Sequence, residues 1–533
     1  MVPAPTLQSR LVSILPQGLD VIVYHLSSSP ASTSALFAPL PGQDEEPTIC
    51  ESHFLAISSP ERSGLKEILV FAIEILIFAT PNLTTVFVCK ADSSGFSSRL
   101  NASKGRPSVV AAVTSAFLDF LLEPRLNQSR VILSLFARSQ NQYLFPGSIE
   151  NPGKHVLDDR QLIKWWCRVL DKVLRLHSDT SDPPFSSSAH LLVPGCDKGE
   201  TKTFFPPSSR QDSPSDPKWI NSYPVELLVT DVADTPRHLV PRFPDDPKSR
   251  FLDDLDGDFI DNQGHWRSVK SLDQFWEMMS YRQECSAGRL VGFLWLVFSQ
   301  GQTSHTKRSE LDQFARGEPL ERLREQASLP TPGNSQAQEN GHAGFGQQTP
   351  SDLSMIRELN SPPPSSPLEV PHDEGPSTES ADGNVNDGCA SASLAGLTDE
   401  DVLQAHARRF NETLGELVLS TTQYQTLMDH LLQTDFAGEE KAAEATKSWI
   451  QKALALTGKA VFGLPVRGEH VLSGSEGAER TDLQRINVLT GVRKKRKADD
   501  TDERPANSQG TERTSNATVN TLSAGLVRKK PKG

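Results

Sequence analysis

Apolar and β-branched runs recur along the first 300 residues at Val21–Tyr24, Thr85–Val88, Val131–Phe136, His190–Val193, Val225–Thr230 and Leu290–Phe298, and each predicts a strand. Between them the spacing of an amphipathic helix takes over at Pro107–Leu122, Gln161–Leu176 and Ser271–Gln283. The last of these opens with the capping box Ser271-Leu-Asp-Gln274 and ends near Gly288. Strands alternating with helices predict a mixed α/β domain with one central sheet surrounded by helices. The longest apolar stretch, Ile68–Ala79, contains Glu74 and is far shorter than the roughly 20 residues that cross a bilayer, so it reads as buried core. Further on, Thr398 and Asp399 are plausible caps for Val402, Leu403, Phe410, Leu414, Leu417 and Val418 at helical spacing, and Trp449 and Ile450 mark a second helix. No strand is expected in that block, and its apolar stripe predicts helices that pack back on the main domain.

The intervals between these patterns set the domain division. Residues 27–48 are rich in Ser, Pro and Ala and predict a surface loop. Residues 301–396 have only Phe314 and Phe345 as aromatics, and with 466–533 they carry too little apolar area to offset chain entropy. The expected order is therefore a core over 1–300, a disordered insert over 301–396, a helical segment over 397–465 and a disordered basic tail over 466–533. Length alone, 533 residues, would allow three or four domains. The 36% hydrophobic content, the 38 prolines and a mean hydropathy of −0.40 reduce this to one large domain.

Charge sharpens the division. The formal net charge is −13, but residues 491–533 carry 11 basic and 5 acidic residues, a net of +6, which leaves −19 on residues 1–490. An acidic body does not suit direct DNA binding and does suit a basic protein partner. The six cysteines show no CxxC and no pairing rhythm, so neither a disulfide scaffold nor a zinc module is expected. With no signal-like start and no spanning segment, a soluble intracellular protein without a bound metal is the expectation. Phosphate loops, dinucleotide fingerprints, HExxH and the GxSxG elbow are all missing.

Four clusters hold candidate chemistry. In Cys89-Lys-Ala-Asp92-Ser93-Ser-Gly95-Phe96 a strand end runs into a turn, so Asp92 is either a site carboxylate at the sheet edge or a turn residue bonding its own backbone. In Phe136-Ala-Arg138-Ser-Gln-Asn-Gln-Tyr143-Leu-Phe145, Arg138 is either a phosphate holder or an ordinary strand exit, with Tyr143 as a pocket lining or an anchor. His155-Val156-Leu157 leads into a helix on which Trp165 and Trp166 point about 100° apart, so one can be core while the other faces a pocket. In Phe243-Pro-Asp245-Asp246-Pro247-Lys248-Ser-Arg250, Asp246 followed by Pro reads as a helix N-cap. The same two carboxylates beside Lys248 and Arg250 could also form a network fit for general-base work.

The strings FVCKADSSGF, LFARSQNQYLF, KHVLDD, WW, FPDDPKSRFLDDL and SLDQFWEMMSYRQECSAGRLVGFLW together resemble, in this order, the fungal histone H3 lysine acetyltransferases of the Rtt family. The resemblance covers about residues 10–300 and, more loosely, 397–465. It implies a CBP-type histone acetyltransferase architecture and acetyl-CoA as acetyl donor. It places Asp246, Asp245 and Asp92 on the family's acidic site residues, with Asp246 at the position of proton transfer, and Trp166 and Tyr143 on its acetyl and lysine channel. It puts Ala91, Asp92, Ser93, Phe136, Arg138, His155, Val156, Leu157 and Trp165 along the acetyl-CoA cleft, and Lys248 on a self-acetylated lysine. The loop carrying Lys104 opens a helix and could receive CoA phosphates. The implied reaction is direct transfer in a ternary complex, after a substrate lysine with a free pKa near 10.4 loses its proton.

The tail clusters Arg493, Lys494, Lys495, Arg496, Lys497 and Arg528, Lys529, Lys530, Lys532 read as nuclear-import signals, with docking onto acidic histone chaperones as the alternative. The resemblance implies histone H3, as H3–H4, for a partner, with chaperones of the NAP and Asf types, and a place in the nucleus. A catalytically silent nuclear scaffold that binds histones or chaperones is the rival reading.

Overall fold

The computed structural model describes residues 5–62, 64–100, 108–127, 130–177, 185–229, 235–282, 289–300 and 410–471. These lie in one unit, Met1–Leu472. The insert, the basic tail clusters and the loop carrying Lys104 lie outside the described residues.

Among the described residues eleven strands form one mixed sheet. They are β1 (Asp20–Ser28), β2 (Ala31–Thr33), β3 (Thr48–Ser59), β4 (Ile68–Ala79), β5 (Thr84–Ser93), β6 (Arg130–Arg138), β7 (Phe185–Leu192), β8 (Trp219–Ile220), β9 (Val291–Gln300), β10 (Leu417–Leu419) and β11 (Leu464–Arg467). The order is β10-β1-β3-β4-β5-β6-β9-β7-β8, with β11 on β1 and β2 on β3. Pairs β1/β10, β5/β6 and β7/β8 are parallel and the others antiparallel. The run Ile68–Ala79 is the central strand β4, which is apolar throughout except Glu74 because both of its faces are covered.

Period-two alternation sends Val86, Val88, Leu133, Leu135, Leu294 and Leu296 to one face. There they meet α1 (Leu7–Ile14), α2 (Val109–Leu122) and α3 (Asp159–Leu176) in one continuous cluster. The opposite face is covered in two parts. Phe87, Phe136, Phe293 and Trp295 pack on α6 (Pro247–Asp258) and α7 (Leu272–Ser280). Tyr24, Leu26, Phe54 and Ala72 pack on α8 (Thr421–Leu432) and α9 (Glu439–Thr457). Two short helices, α4 (Lys198–Lys202) and α5 (Val225–Leu228), complete the set of described α-helices.

The stretch 27–48, expected as a loop, carries β2 on β3, and β11 on β1 runs across the expected boundary at 465/466 between helical segment and tail; three further expectations need correction. The run expected over Val225–Thr230 is not a strand in its described part, 225–229, Thr230 lying outside the described residues: Pro224, whose ring fixes φ in the helical range, starts the single turn α5. Of the helix expected from Thr398 to Val418, Thr398, Asp399, Val402 and Leu403 lie outside the described residues, and the described part supplies a strand. Leu417 and Leu419 are buried and Val418 is exposed, the period of a strand, and they pair with Leu26–Ser28 of β1. Gly415 makes that approach possible, since a Cβ there would lie 2.6 Å from the Leu26 backbone, and its amide donates to Ser27 Oγ at 3.0 Å. The capping box of α7 forms by half: Ser271 Oγ accepts from Gln274 N, but the Gln274 side chain reaches Lys270 N at 2.8 Å.

Candidate active site

The sheet opens where β5 and β6 part. They pair in parallel from Thr84↔Val131 to Val88↔Leu135. Beyond that point β5 carries one extra residue, Cys89, and stays with β4 as far as Ser93↔Phe71. Strand β6 stays with β9 as far as Arg138↔Val291. The carboxyl ends of two neighbouring parallel strands thus diverge, which is where α/β sheets hold ligands. The expected cofactor residues frame this opening: Ala91, Asp92 and Ser93 on β5, Phe136 and Arg138 on β6, and Val156 and Leu157, half-buried, before α3. His155 is exposed and Trp165 half-buried. Ser139 Oγ donates to Leu157 O at 2.6 Å, tying the β6 exit to that stretch.

Asp92 builds the frame. Its Oδ2 accepts from the amides of Tyr143 at 2.7 Å, Leu144 at 3.0 Å and Phe145 at 3.3 Å. Its Oδ1 accepts from Ser93 N at 2.8 Å and Lys154 Nζ at 2.5 Å. Both oxygens of this carboxylate are taken up by donors of the protein itself. Asp92 therefore acts as an anchor that folds residues 143–145 over the cleft. Lys154, which also reaches Ser93 O, was not foreseen from the sequence.

The adjacent aspartates have opposite environments. Asp246 caps α6 by accepting from Lys248 N at 2.8 Å, and its other oxygen pairs with Lys248 Nζ. Both side chains are sealed, Asp246 at 0% and Lys248 at 1% exposure. Phe243 and Phe293 enclose the ammonium, with Phe293's ring centroid 4.4 Å from it. Burial pushes the Lys248 pKa down, and Asp246 opposes that shift. Asp245 is turned outward: its side chain is 55% exposed, and its φ of 59° makes it the one described non-glycine residue in the left-handed region. Such strain persists where the surroundings over-determine it, as at functional sites. Its carboxylate pairs with Lys90 Nζ at 3.3 Å. The expected base, Asp246, is therefore enclosed, and Asp245 is the member of the pair that a substrate can reach.

Tyr143 lies within electrostatic reach of this carboxylate. Its hydroxyl accepts from Arg138 at 2.9 Å. Burial raises its pKa, Arg138 works against the rise, and Asp245 and Cys89 add to it. Arg138 is thus engaged within the protein, stacked over Phe136 with 5.7 Å to the ring centroid. Trp166 belongs to the core on the α2/α3 face, edge-on to Trp165 with centroids 4.8 Å apart. Tyr143 packs with the cluster on the other face, so the half-buried Trp165 is the indole with surface to offer. Sequence reasoning also missed Lys90 and Glu74. The available signal was Glu74 itself, one carboxylate inside twelve otherwise apolar residues.

The histone acetyltransferase KAT11-type domain matches residues 7–131 and 124–452. The chain is 38% identical to the histone acetyltransferase rtt109 of Aspergillus flavus over 98% of each. It is 32% identical to the histone acetyltransferase rtt109 of Schizosaccharomyces pombe, covering 54% of this chain and 70% of that one. The crystal structure of Rtt109 from Aspergillus fumigatus superposes with a TM-score of 0.65 at 38% identity, covering 87% of this chain and 100% of the other.

Proposed function

We propose, from the premise that the chain belongs to the KAT11-type histone acetyltransferase family, that the β5/β6 opening takes acetyl-CoA and that a lysine of histone H3 enters beside Asp245. The observation that carries this reading is the divergence of β5 and β6 with one exposed, strained carboxylate near its mouth. Family membership makes the protein an enzyme and displaces the scaffold reading.

Acetyl-CoA supplies the thioester carbonyl, and the chain's own residues prepare the amine. A lysine ammonium must lose a proton before its nitrogen can attack. Asp245 is placed to receive that proton, directly or through one water, because its carboxylate faces solvent while Asp246 does not. Tyr143, kept neutral by burial, presents an apolar ring and a fixed hydroxyl that disfavour a charged ammonium beside it. Asp92 contributes by holding the 143–145 stretch, and Asp246 by starting α6 and neutralising Lys248. Transfer is direct, in a ternary complex. Acetylation of Lys248 would remove its charge and requires the Phe243/Phe293 enclosure to open.

The wider assignment is part of the same proposal: histone H3, presented as H3–H4 by a chaperone of the NAP or Asf type, core-region and tail lysines as targets, and work in the nucleus on chromatin assembly and genome stability. The charge of −19 on residues 1–490 supports a basic substrate, and the +6 tail supports import or docking. The test is acetyl-CoA turnover on H3–H4 with and without a NAP-type chaperone. Asp245→Asn should lower kcat by about 10²–10⁴-fold. Unchanged turnover in that variant would reject Asp245 as the proton acceptor.

A further inference from the structure

Strand β5 would place Lys90 on the wrong face if it were regular. Val86 and Val88 point to the α2/α3 cluster, and strict alternation would send Lys90 after them. The extra residue Cys89 shifts the register, so that Glu74 faces Lys90 while Ile75 faces Val88. Cys89 and Lys90 therefore both serve the opposite face, where Asp245 stands. Bulges beside active sites commonly re-aim one side chain in this way.

What the bulge delivers is a chain of polar groups drawn from four distant stretches. Tyr424 Oη of α8 donates to Glu74 Oε1 at 3.1 Å. Lys90 Nζ donates to Glu74 Oε2 at 2.9 Å and lies 3.3 Å from Asp245 Oδ2. Glu74 and Tyr424 are 6% and 5% exposed. A carboxylate buried in the central strand is costly unless it is paired, and here both oxygens are used. The network spans the junction between the two helical covers of that face.

We propose that Lys90 is a positioning residue for acetyl transfer: held by Glu74 and Tyr424, its ammonium fixes the Asp245 carboxylate and sets a permanent positive charge beside the entering lysine. This rests on the reading of Asp245 given above. The charge does two things. It pairs with the Asp245 carboxylate and orients it in its left-handed turn, and it disfavours a second ammonium next to it, so the substrate nitrogen loses its proton more readily. The other titratable groups facing the network do not compete. Cys89, whose sulfur is 3.7 Å from Lys90 Nζ, has its pKa raised by burial. Burial likewise raises Tyr424 and Tyr143, and Cys50 to about 12. All four stay neutral through the physiological range, leaving Glu74, Lys90, Asp245 and the Tyr143-bound Arg138 as the charged set.

The experiment compares pH profiles of kcat and KM on H3–H4 for the full-length protein and its variants. In Lys90→Met the acid limb of kcat should move up by about one pH unit, with kcat at neutral pH down on the order of tenfold and KM for the histone unchanged or lower. Lys90→Arg keeps the charge and should restore most of the profile. The double variant Glu74→Gln/Lys90→Met removes the buried carboxylate together with its partner, so it folds without an orphaned charge and should still show the Lys90→Met profile. Tyr424→Phe, which touches neither Asp245 nor the cleft, should move the limb the same way by less. A double variant with wild-type profile, in a protein that Asp245→Asn inactivates, overturns the role of Lys90. Full activity in Asp245→Asn instead overturns the site on which it rests.

Discussion

The two faces of the sheet solve the same packing problem differently. On one face α1, α2 and α3 close a largely apolar layer in which Val113, Phe117, Leu133, Ile163, Leu170 and Leu294 have no exposed surface, and its buried charges, Glu51 with Arg125 beside His25 and His53, pair among themselves. On the other, helices from residues 247–280 and from 421–457 cover adjoining parts of the sheet, and both clusters reach strand β4. Neither set covers that junction with apolar side chains alone, and a charged group that includes an exposed member gathers there: Glu74, Lys90, Asp245 and the Asp246–Lys248 pair. One layer yields stability and the junction of two yields chemistry. Perturbations on either side should separate these contributions.

The largest expected effect on stability is at Asp246. Asn caps a helix as well as Asp does, so Asp246→Asn keeps the start of α6 and removes only the charge. Lys248 would then be a buried ammonium without a counter-ion, at a cost of about 3–5 kcal/mol in chemical denaturation. Adding Lys248→Met should recover most of that loss. If Asp246 works structurally, the double variant retains acetyl transfer per folded molecule, and loss of turnover in a well-folded double variant would return the base role to Asp246.

A change on the closed face should do the reverse. Leu133→Ala removes buried apolar volume between β6 and the helices, for about 3 kcal/mol. Activity per folded molecule should be unchanged, as measured by turnover normalised to the native fraction. A drop in kcat at full folding would mean that the two faces are coupled and that the division drawn above is too sharp.

These expectations indicate which parts of the molecule were legible in sequence. Strands β1, β5, β6, β7 and β9 and helices α2, α3 and α7 follow from period-two and 3.6-residue patterns, since each has one covered face or a long buried run. Strand β10 did not follow, because three residues are too few to show a period and its pairing depends on Gly415 meeting β1, nearly 390 residues away. The candidate site divides in the same way. Asp245 and Asp246 stood out as a pair, but sequence could not say which was enclosed, since this depends on Phe243 and Phe293. Lys90 was hidden because its direction is set by a one-residue bulge, which leaves no compositional trace. Asp92 looked like a turn or a catalyst, and its role as anchor rests on amides 51 to 53 residues away.

Away from the junction, the same open face should treat an ionisable group as a liability. His190 on β7 sits between Ser188 Oγ and Ser222 Oγ, each at 3.0 Å, opposite Trp295. Burial lowers its pKa from 6.5 to about 4. The unfolded chain therefore binds more protons between those values, and stability falls as pH drops from 6.5 towards 4, by up to about 3 kcal/mol from this group. His190→Gln keeps hydrogen-bonding capacity and should flatten that part of the stability curve. An unaltered slope in urea titrations at pH 6.5, 5.5 and 4.5 would show that His190 takes up its proton alike in the folded and the unfolded chain.

The smallest effect concerns Asp245 and tests the contrast most directly. Its backbone lies in the left-handed region, which costs an L-residue roughly 1–2 kcal/mol and glycine almost nothing. Asp245→Gly would relieve that strain, lose the exposed Lys90 pairing, which contributes little to folding, and regain some unfolded-state entropy cost. The balance should be a gain of about 1 kcal/mol or less. The same variant should lose acetyl transfer, because the carboxylate that meets the substrate is gone. Stability that rises while turnover collapses is the signature of strain kept for function. A destabilised Asp245→Gly would instead mean that the carboxylate belongs to the fold, and the junction would differ from the closed face in composition alone.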